Sequence, residues 1–231
     1  MESGFSFPGA FTDRHGTEQI TWCVSPSTRR QPPGVMGYEI ETTIRGVTFW
    51  GYDFDGLEPR EPDQAIAAGL PLSRLSGELA DSVIKGDLPC TIEVDGQRAP
   101  AVVSFTLTLP SAERGPERQD PGPKNLHLSL TVADQRCEVD DDWFEDGVLR
   151  LDHAARRAGA RLACCVTCLY SDYSPGGHGL MGMSCHRGAK AQYLAVRSKL
   201  DYWSVPVTED VMETYLCPEY ERRIPGTGYR G

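Results

Sequence analysis

The sequence contains no run of about 20 apolar residues, the length a membrane-spanning helix needs, so no membrane association is expected. Its opening, Met1-Glu-Ser-Gly-Phe-Ser-Phe-Pro-Gly9, has neither a basic stretch nor an apolar core, so no secretory leader is expected. No phosphate-binding loop, dinucleotide fingerprint or Ser/His/Asp arrangement is present. Residues 176–182 are Gly-rich but follow no strand–turn–helix pattern. Positive charge is scarce: 23 Lys+Arg stand against 33 Asp+Glu, a net charge of −10. The shortage is local. Residues 160–231 carry 8 basic and 7 acidic side chains, whereas residues 1–159 carry 15 and 26, a net of −11. This balance argues against nucleic acid as a partner, because phosphates are held by basic patches. An acidic solvated surface is the plain reading.

What remains is a chain of 231 residues with ordinary hydrophobic and charged content. Without a leader or a span, its expected location is the cytoplasm. Thiols stay reduced there, and clustered cysteines point to metal or redox chemistry rather than to structural disulfides.

The N-terminal part reads as strands. Residues 1–17 are expected to be an irregular lead-in, followed by a short strand over 20–24 and a Pro-rich loop over 25–37. Tyr38, Ile40, Thr42 and Ile44 alternate with Glu39, Glu41, Thr43 and Arg45, the period of a half-buried strand. Arg45-Gly46 turns into a second strand over 47–52. Pro62 opens a short helix, and the spacing of Leu72, Leu75, Leu79 and Val83 predicts another over 72–84. Asp95-Gly96 between apolar runs is a type I′ hairpin signal. Alternation at 103–109 and 126–132 flanks a Pro- and Gly-rich loop. At residue 140 the period changes. Phe144, Val148, Leu151, Ala155 and Ala158 form a helical stripe, with Asp142 and Glu145 as a capping box and Gly159 as the stop. A strand into the cysteines, a strand or short helix over 191–196 and a helical turn over 209–215 complete the reading. The fold class is therefore α+β. An acidic, antiparallel β-rich region over 1–139 precedes a helix and a zinc-stabilised cysteine region over 140–231, and the two can form one continuous domain.

Five of eight cysteines lie between residues 164 and 217. Cys165-x2-Cys168-x16-Cys185-x31-Cys217 supplies four thiolates, a common structural zinc set. Cys164 and Cys165 are neighbours and point to opposite faces of an extended chain, so Cys164 is expected to turn into the core. His178 and His186 are rival ligands. Cys23, Cys90 and Cys137 are expected to be buried free thiols. Besides structural zinc, two other chemistries fit the cluster. One is a redox Cys165-x-x-Cys168 pair. The other is a catalytic zinc with Asp172, Glu213 or Glu219 as base. The stretch Ser171-Asp-Tyr-Ser-Pro-Gly-Gly-His178 is polar, aromatic and turn-rich, so Asp172, Tyr173, His178, His186 and Arg187 are candidate binding residues on a metal-held scaffold. Arg187, Lys190, Arg197 and Lys199 are expected to suit an acidic surface, such as that of residues 1–159.

The runs Cys-x-x-Cys-x-x-Ser-Asp-Tyr-Ser-Pro-x-Gly at 165–177, Gly-x-x-Cys-x-Arg at 182–187 and Glu-Thr-x-x-Cys-Pro-Glu-Tyr-x-x-Arg at 213–223 resemble those of an uncharacterised bacterial family. Its members end in this cysteine signature after a variable N-terminal region. The resemblance spans the last third, from about residue 142. It implies the four thiolate ligands and no mechanism. The expected function is that of a zinc-stabilised cytoplasmic binding or accessory protein with a protein partner, of the immunity or adaptor kind. The alternative is a zinc-dependent enzyme.

Overall fold

A computed structural model describes residues 4–27, 38–113, 125–173 and 182–229. Its centre is a hairpin that the sequence pattern concealed. Strand β1 (Phe5–Asp13) pairs antiparallel with β2 (Gly16–Pro26). The expected irregular lead-in is therefore a strand from Phe5 onward. Phe7 and Phe11 are buried at a spacing that fits period two, but Pro8 and two glycines hid it.

Gly9 has a specific reason to be there. Trp22 lies across it and donates its indole N–H to the Lys85 carbonyl at 2.8 Å. A Cβ at residue 9 would stand 2.2 Å from Trp22 Nε1 and 2.4 Å from that carbonyl.

Strands β3 (Tyr38–Ile44) and β4 (Val47–Gly51) form as the alternation predicts. Arg45 and Gly46 take φ of 50° and 77°, the left-handed pair that a type I′ turn requires. A two-residue strand, β5 (Glu58–Pro59), ends this side of the sheet, and helix α1 (Pro62–Ala67) follows. Residues 72–84 form no helix. Gly77 sits at φ 78°, Leu72 bridges Leu79, and the Ser73 hydroxyl accepts the N–H groups of Leu75 and Ser76 at 3.3 Å. Of the expected stripe, Leu79 is buried and Leu75 is exposed. Side-chain oxygens that capture backbone N–H groups favour a turn over a helix.

Strands β6 (Val83–Val94) and β7 (Gln97–Thr108) form the expected hairpin about Asp95-Gly96, now 12 residues long on each side. Strand β8 (Asn125–Val132) pairs with β7, and the unforeseen β9 (Gln135–Asp141) pairs with β8. The order is β5-β4-β3-β2-β1-β6-β7-β8-β9, antiparallel throughout. The architecture is mostly antiparallel sheet with a few helices, in keeping with α+β.

Phe54, from the loop after β4, stacks obliquely on Phe105 and meets Trp22 and Phe7 edge-on, with ring centroids 4.6, 4.9 and 6.3 Å away. Phe144 extends this file and opens helix α2 (Phe144–Arg157), which packs on β8 and β9. The expected capping box at Asp142 is not used. Trp143 is the N-cap, and Asp141 Oδ1 accepts from the N–H groups of Asp142 (2.8 Å) and Trp143 (3.2 Å). Gly159, at φ 83°, ends the helix as expected. The boundary read between residues 139 and 140 falls inside β9.

Strand β10 (Ala160–Leu162) then joins the free half of β6, pairing with Ile92–Val94 beyond the point where β1 stops. After a 3-10 turn (Cys165–Thr167), strands β11 (Ser171–Asp172), β12 (Met183–Cys185) and β13 (Glu209–Val211) make a small second sheet. Between β12 and β13 lie α3 (Lys190–Leu194) and α4 (Lys199–Ser204). The helical turn expected over 209–215 therefore begins as a strand, because the edge of β12 offers it a ladder. Among the described residues, no helix is long and apolar enough to cross a membrane.

Gly9→Ala tests the central crossing. It should lower stability by about 3 kcal/mol in urea unfolding, at the upper end of overpacking costs, because neither the Trp22 ring nor the Lys85 backbone can withdraw. A variant as stable as the parent would show that the crossing is not tight.

Candidate functional site

Cys164 and Cys165 stand where β10 hands the chain from one sheet to the other. Cys164 is extended and wholly buried, and its thiol is pushed up by burial first, then by Cys90 and Asp152 beside it. Cys165 begins the 3-10 turn that follows. Burial pushes its thiol up too, followed by the nearby Cys168, Cys164, Cys185 and Cys217. The neighbours of Cys164 include Cys90 of the main sheet, whereas those of Cys165 include the other three predicted ligands. Cys185, at the end of β12, is raised by burial as well, and Cys217 and Cys168 add to it while Arg187 opposes. All four predicted ligands are at most 5% exposed. As they stand, no three His, Cys, Asp or Glu side chains among the described residues are arranged to hold a metal ion. Cys90 and Cys137 are buried free thiols as expected. Cys23 is instead exposed, because on β2 it alternates with the inward Trp22 and Val24.

The backbone around the thiols is tightly tied. Cys165 N–H donates to the Tyr215 carbonyl at 2.7 Å, and Val166 N–H to the Glu213 carbonyl at 3.0 Å. The Thr167 hydroxyl reaches the carbonyls of Leu162 (2.9 Å) and Cys164 (3.1 Å) and lies 2.9 Å from the Tyr220 hydroxyl. The tail after Cys217 straps over the turn. Cys168 bridges Arg222, Leu169 N–H donates to Glu221 and Arg223 N–H to Thr167. A buried, raised thiol is the opposite of the depressed one that a redox Cys-x-x-Cys pair uses.

The candidate binding residues fall into two groups. Asp172 is buried, with Oδ2 accepting from the Tyr193 hydroxyl at 2.7 Å and Oδ1 from Tyr173 N–H at 3.0 Å. Tyr173 is buried beside it. His186 is wholly buried, stacked on Tyr193 with centroids 5.0 Å apart. Its Nδ1 donates to the Pro206 carbonyl at 3.0 Å, which leaves Nε2 to accept from the Tyr202 hydroxyl at 3.0 Å. Burial lowers its pKa, so the ring is neutral. In this arrangement both ring nitrogens of His186 are engaged within the chain. His178 lies outside the described residues.

Arg187 reaches the surface. It pairs with Glu209, and its Nη1 lies 3.8 Å from Cys185 Sγ. Lys190 pairs with Glu221 (3.1 Å) and Glu219 (3.4 Å). These two cations thus meet carboxylates of their own third of the chain rather than the acidic region before it.

Glu213 has a larger place here than its sequence context suggested. It is wholly buried, with Oε1 accepting from Gly182 N–H at 2.6 Å. Burial raises its carboxyl to about 7; hydrogen bonds from Gly182 and Tyr173 oppose that rise and Glu145 adds to it. The only signal in the sequence was an acidic residue four positions before Cys217, which marks nothing by itself.

The sign of the Glu213 effect follows from linkage. Between its ordinary 4.5 and about 7, the folded protein holds a proton that the unfolded chain has released. Stability is therefore full below pH 4.5, falls as pH rises through that window and levels off above it. Glu213→Gln removes the loss, since the amide still accepts from Gly182. It should match the parent at pH 5 and exceed it by roughly 3 kcal/mol at pH 8 in urea titrations. Parallel curves at both pH values would rule the effect out.

No curated protein and no solved structure matches this chain. One family model does match, over residues 5–171, and it is described as a family of unknown function, DUF6304. The matched stretch holds the ten-stranded sheet, α2, Cys165 and Cys168, and stops before Cys185 and Cys217. By this match the chain belongs to DUF6304, a family of unknown function.

Proposed function

We propose that the protein is a binding module whose C-terminal third is clamped by zinc on Cys165, Cys168, Cys185 and Cys217. The observation that carries this is the burial of four thiols from three segments of the chain, each at most 5% exposed, with Cys168, Cys185 and Cys217 near enough to Cys165 for its thiol to feel them. Thiolates in a reducing cytoplasm select zinc. A zinc clip also stabilises short elements that cannot bury much surface by packing, such as β11, β12 and β13.

The partner is a protein. Supporting this, α4 and the chain after it present Leu200, Trp203 and Val207 at 76%, 60% and 50% exposure. Clustered exposed apolar side chains that include Trp are typical of interaction faces. Buried His186 holds α4 from within, through its bond to the Tyr202 hydroxyl.

A second reading, a zinc-dependent enzyme, is favoured by Glu213 alone, a buried carboxyl near 7 beside Tyr173. X-ray absorption separates the two readings. Four sulfurs at about 2.3 Å mean a closed clamp, whereas an oxygen or nitrogen in place of one sulfur means an open position.

Protein purified without chelator should carry one zinc per chain by plasma mass spectrometry. Cys217→Ser should lose most of the metal and lower the melting midpoint. A zinc-free, equally stable parent protein would end both readings.

Trp203→Glu should leave the fold and zinc content unchanged while releasing the partner that copurifies with the tagged parent chain. Retention of that partner by the variant would exclude the α4 face.

A further inference from the structure

A cleft of about 890 Å³ opens at one end of the ten-stranded sheet, between the β1–β2 turn, β5, α1 and the loop after it. None of the C-terminal cysteines lines it. Its volume falls within the range of small-ligand sites. The walls carry buried Pro59 and Leu70, and Ile66 stands on the rim 66% exposed.

The lining of the cleft is net acidic. Asp13, Glu58, Asp81 and Glu113 line it, against Arg14 and Arg74. Arg74 is drawn to Glu113 at 3.6 Å, and Arg14 Nε donates to His15 Nε2 at 3.0 Å.

Asp13 supplies a second, independent observation. Its side chain is 1% exposed, and Oδ1 accepts from Arg45 Nη2 at 2.6 Å and from His15 N–H at 2.8 Å. Its Oδ2 is equally buried and accepts from no donor. A buried carboxylate oxygen without a donor is costly, and native structures seldom leave one without a reason. Asp13 lines the cleft, so its Oδ2 is an acceptor of the cleft wall that no donor among the described residues satisfies.

We propose that this cleft binds a cation on an apolar stem, an alkylguanidinium or alkylammonium group. Its N–H groups donate to Asp13 Oδ2 and lie in the field of Glu58 and Asp81. The stem lies along Leu70, Pro71 and Ile66. Arg45 already balances the charge of Asp13, so the unbalanced carboxylates are what select a cation over a neutral donor. The same chemistry could arrive as a free small molecule or as a basic side chain of a polypeptide.

Calorimetry on the full chain at low salt tests this with three probes: pentylguanidinium chloride, the peptide acetyl-Ala-Leu-Arg-Leu-Ala-amide and sodium pentanesulfonate. Pentylguanidinium should bind and pentanesulfonate should not. Asp13→Asn should abolish binding. Because that variant also loses a charged partner of Arg45, Glu58→Lys provides the second arm. Glu58 is exposed, so the variant should keep the parent melting midpoint and weaken binding by about tenfold or more. A peptide about tenfold tighter than pentylguanidinium supports the site with a polypeptide as the source. Equal or weaker peptide binding supports it with a small molecule as the source. The proposal is overturned by the absence of binding of either cation at about 10 mM, by equal binding of pentanesulfonate or by unchanged affinity in Glu58→Lys.

Discussion

The structure depends on one shared strand. Strand β6 is 12 residues long and is paired along its whole length by β7 on one side. On the other side β1 takes Val83–Gly86 and β10 takes Ile92–Val94, and Ala163 N–H continues the second ladder onto the Thr91 carbonyl. Backbone groups of a buried strand must be paired, so the half of β6 that β1 leaves free recruits the chain after α2. That recruitment sets Cys164 and Cys165 at the join between the two sheets, where both are buried.

The C-terminal third then follows from where β10 ends. The turn that follows is held by carbonyls at 213 and 215 and by the strap at 221–223. The packing continues across the join. Cys164, Cys165 and Cys185 belong to the main core, while Cys168 and Cys217 pack with Tyr193, Tyr202 and Tyr220 in a smaller one. Under the zinc reading, the clamp would tie these two cores together. The polar groups buried beneath it, Asp172 with Tyr193 and His186 with Tyr202, are paired with one another rather than presented to solvent.

The acidic character of residues 1–159 also takes on a more local meaning. Some of it is absorbed by ion pairs such as Arg45 with Asp13 and Arg150 with Asp141. Some of it gathers around the cleft at the sheet end. A net charge describes solubility and long-range field, but the position of each carboxylate decides whether it is solvated, paired or left as an acceptor.

Local chemistry was legible in the residues alone. Alternation at 38–44 and 126–132, the left-handed pairs at Arg45-Gly46 and Asp95-Gly96, the stripe of α2 and its Gly159 stop each depend on neighbours within a few positions. The burial of Cys164 was legible for the same reason. Pairing between distant segments was not. The β1 strand was disguised by Pro8 and by Gly9, whose missing side chain makes sense only once Trp22 crosses it. The stripe at 72–84 imitated a helix until Ser73 and Gly77 turned it. The contacts that reach Glu213, occupy both nitrogens of His186 and tie Asp13 to Arg45 come from residues 16 to 32 positions away. Period and turn chemistry are properties of short sequence. Desolvation and pairing belong to the packed chain, and only the tertiary structure could decide them.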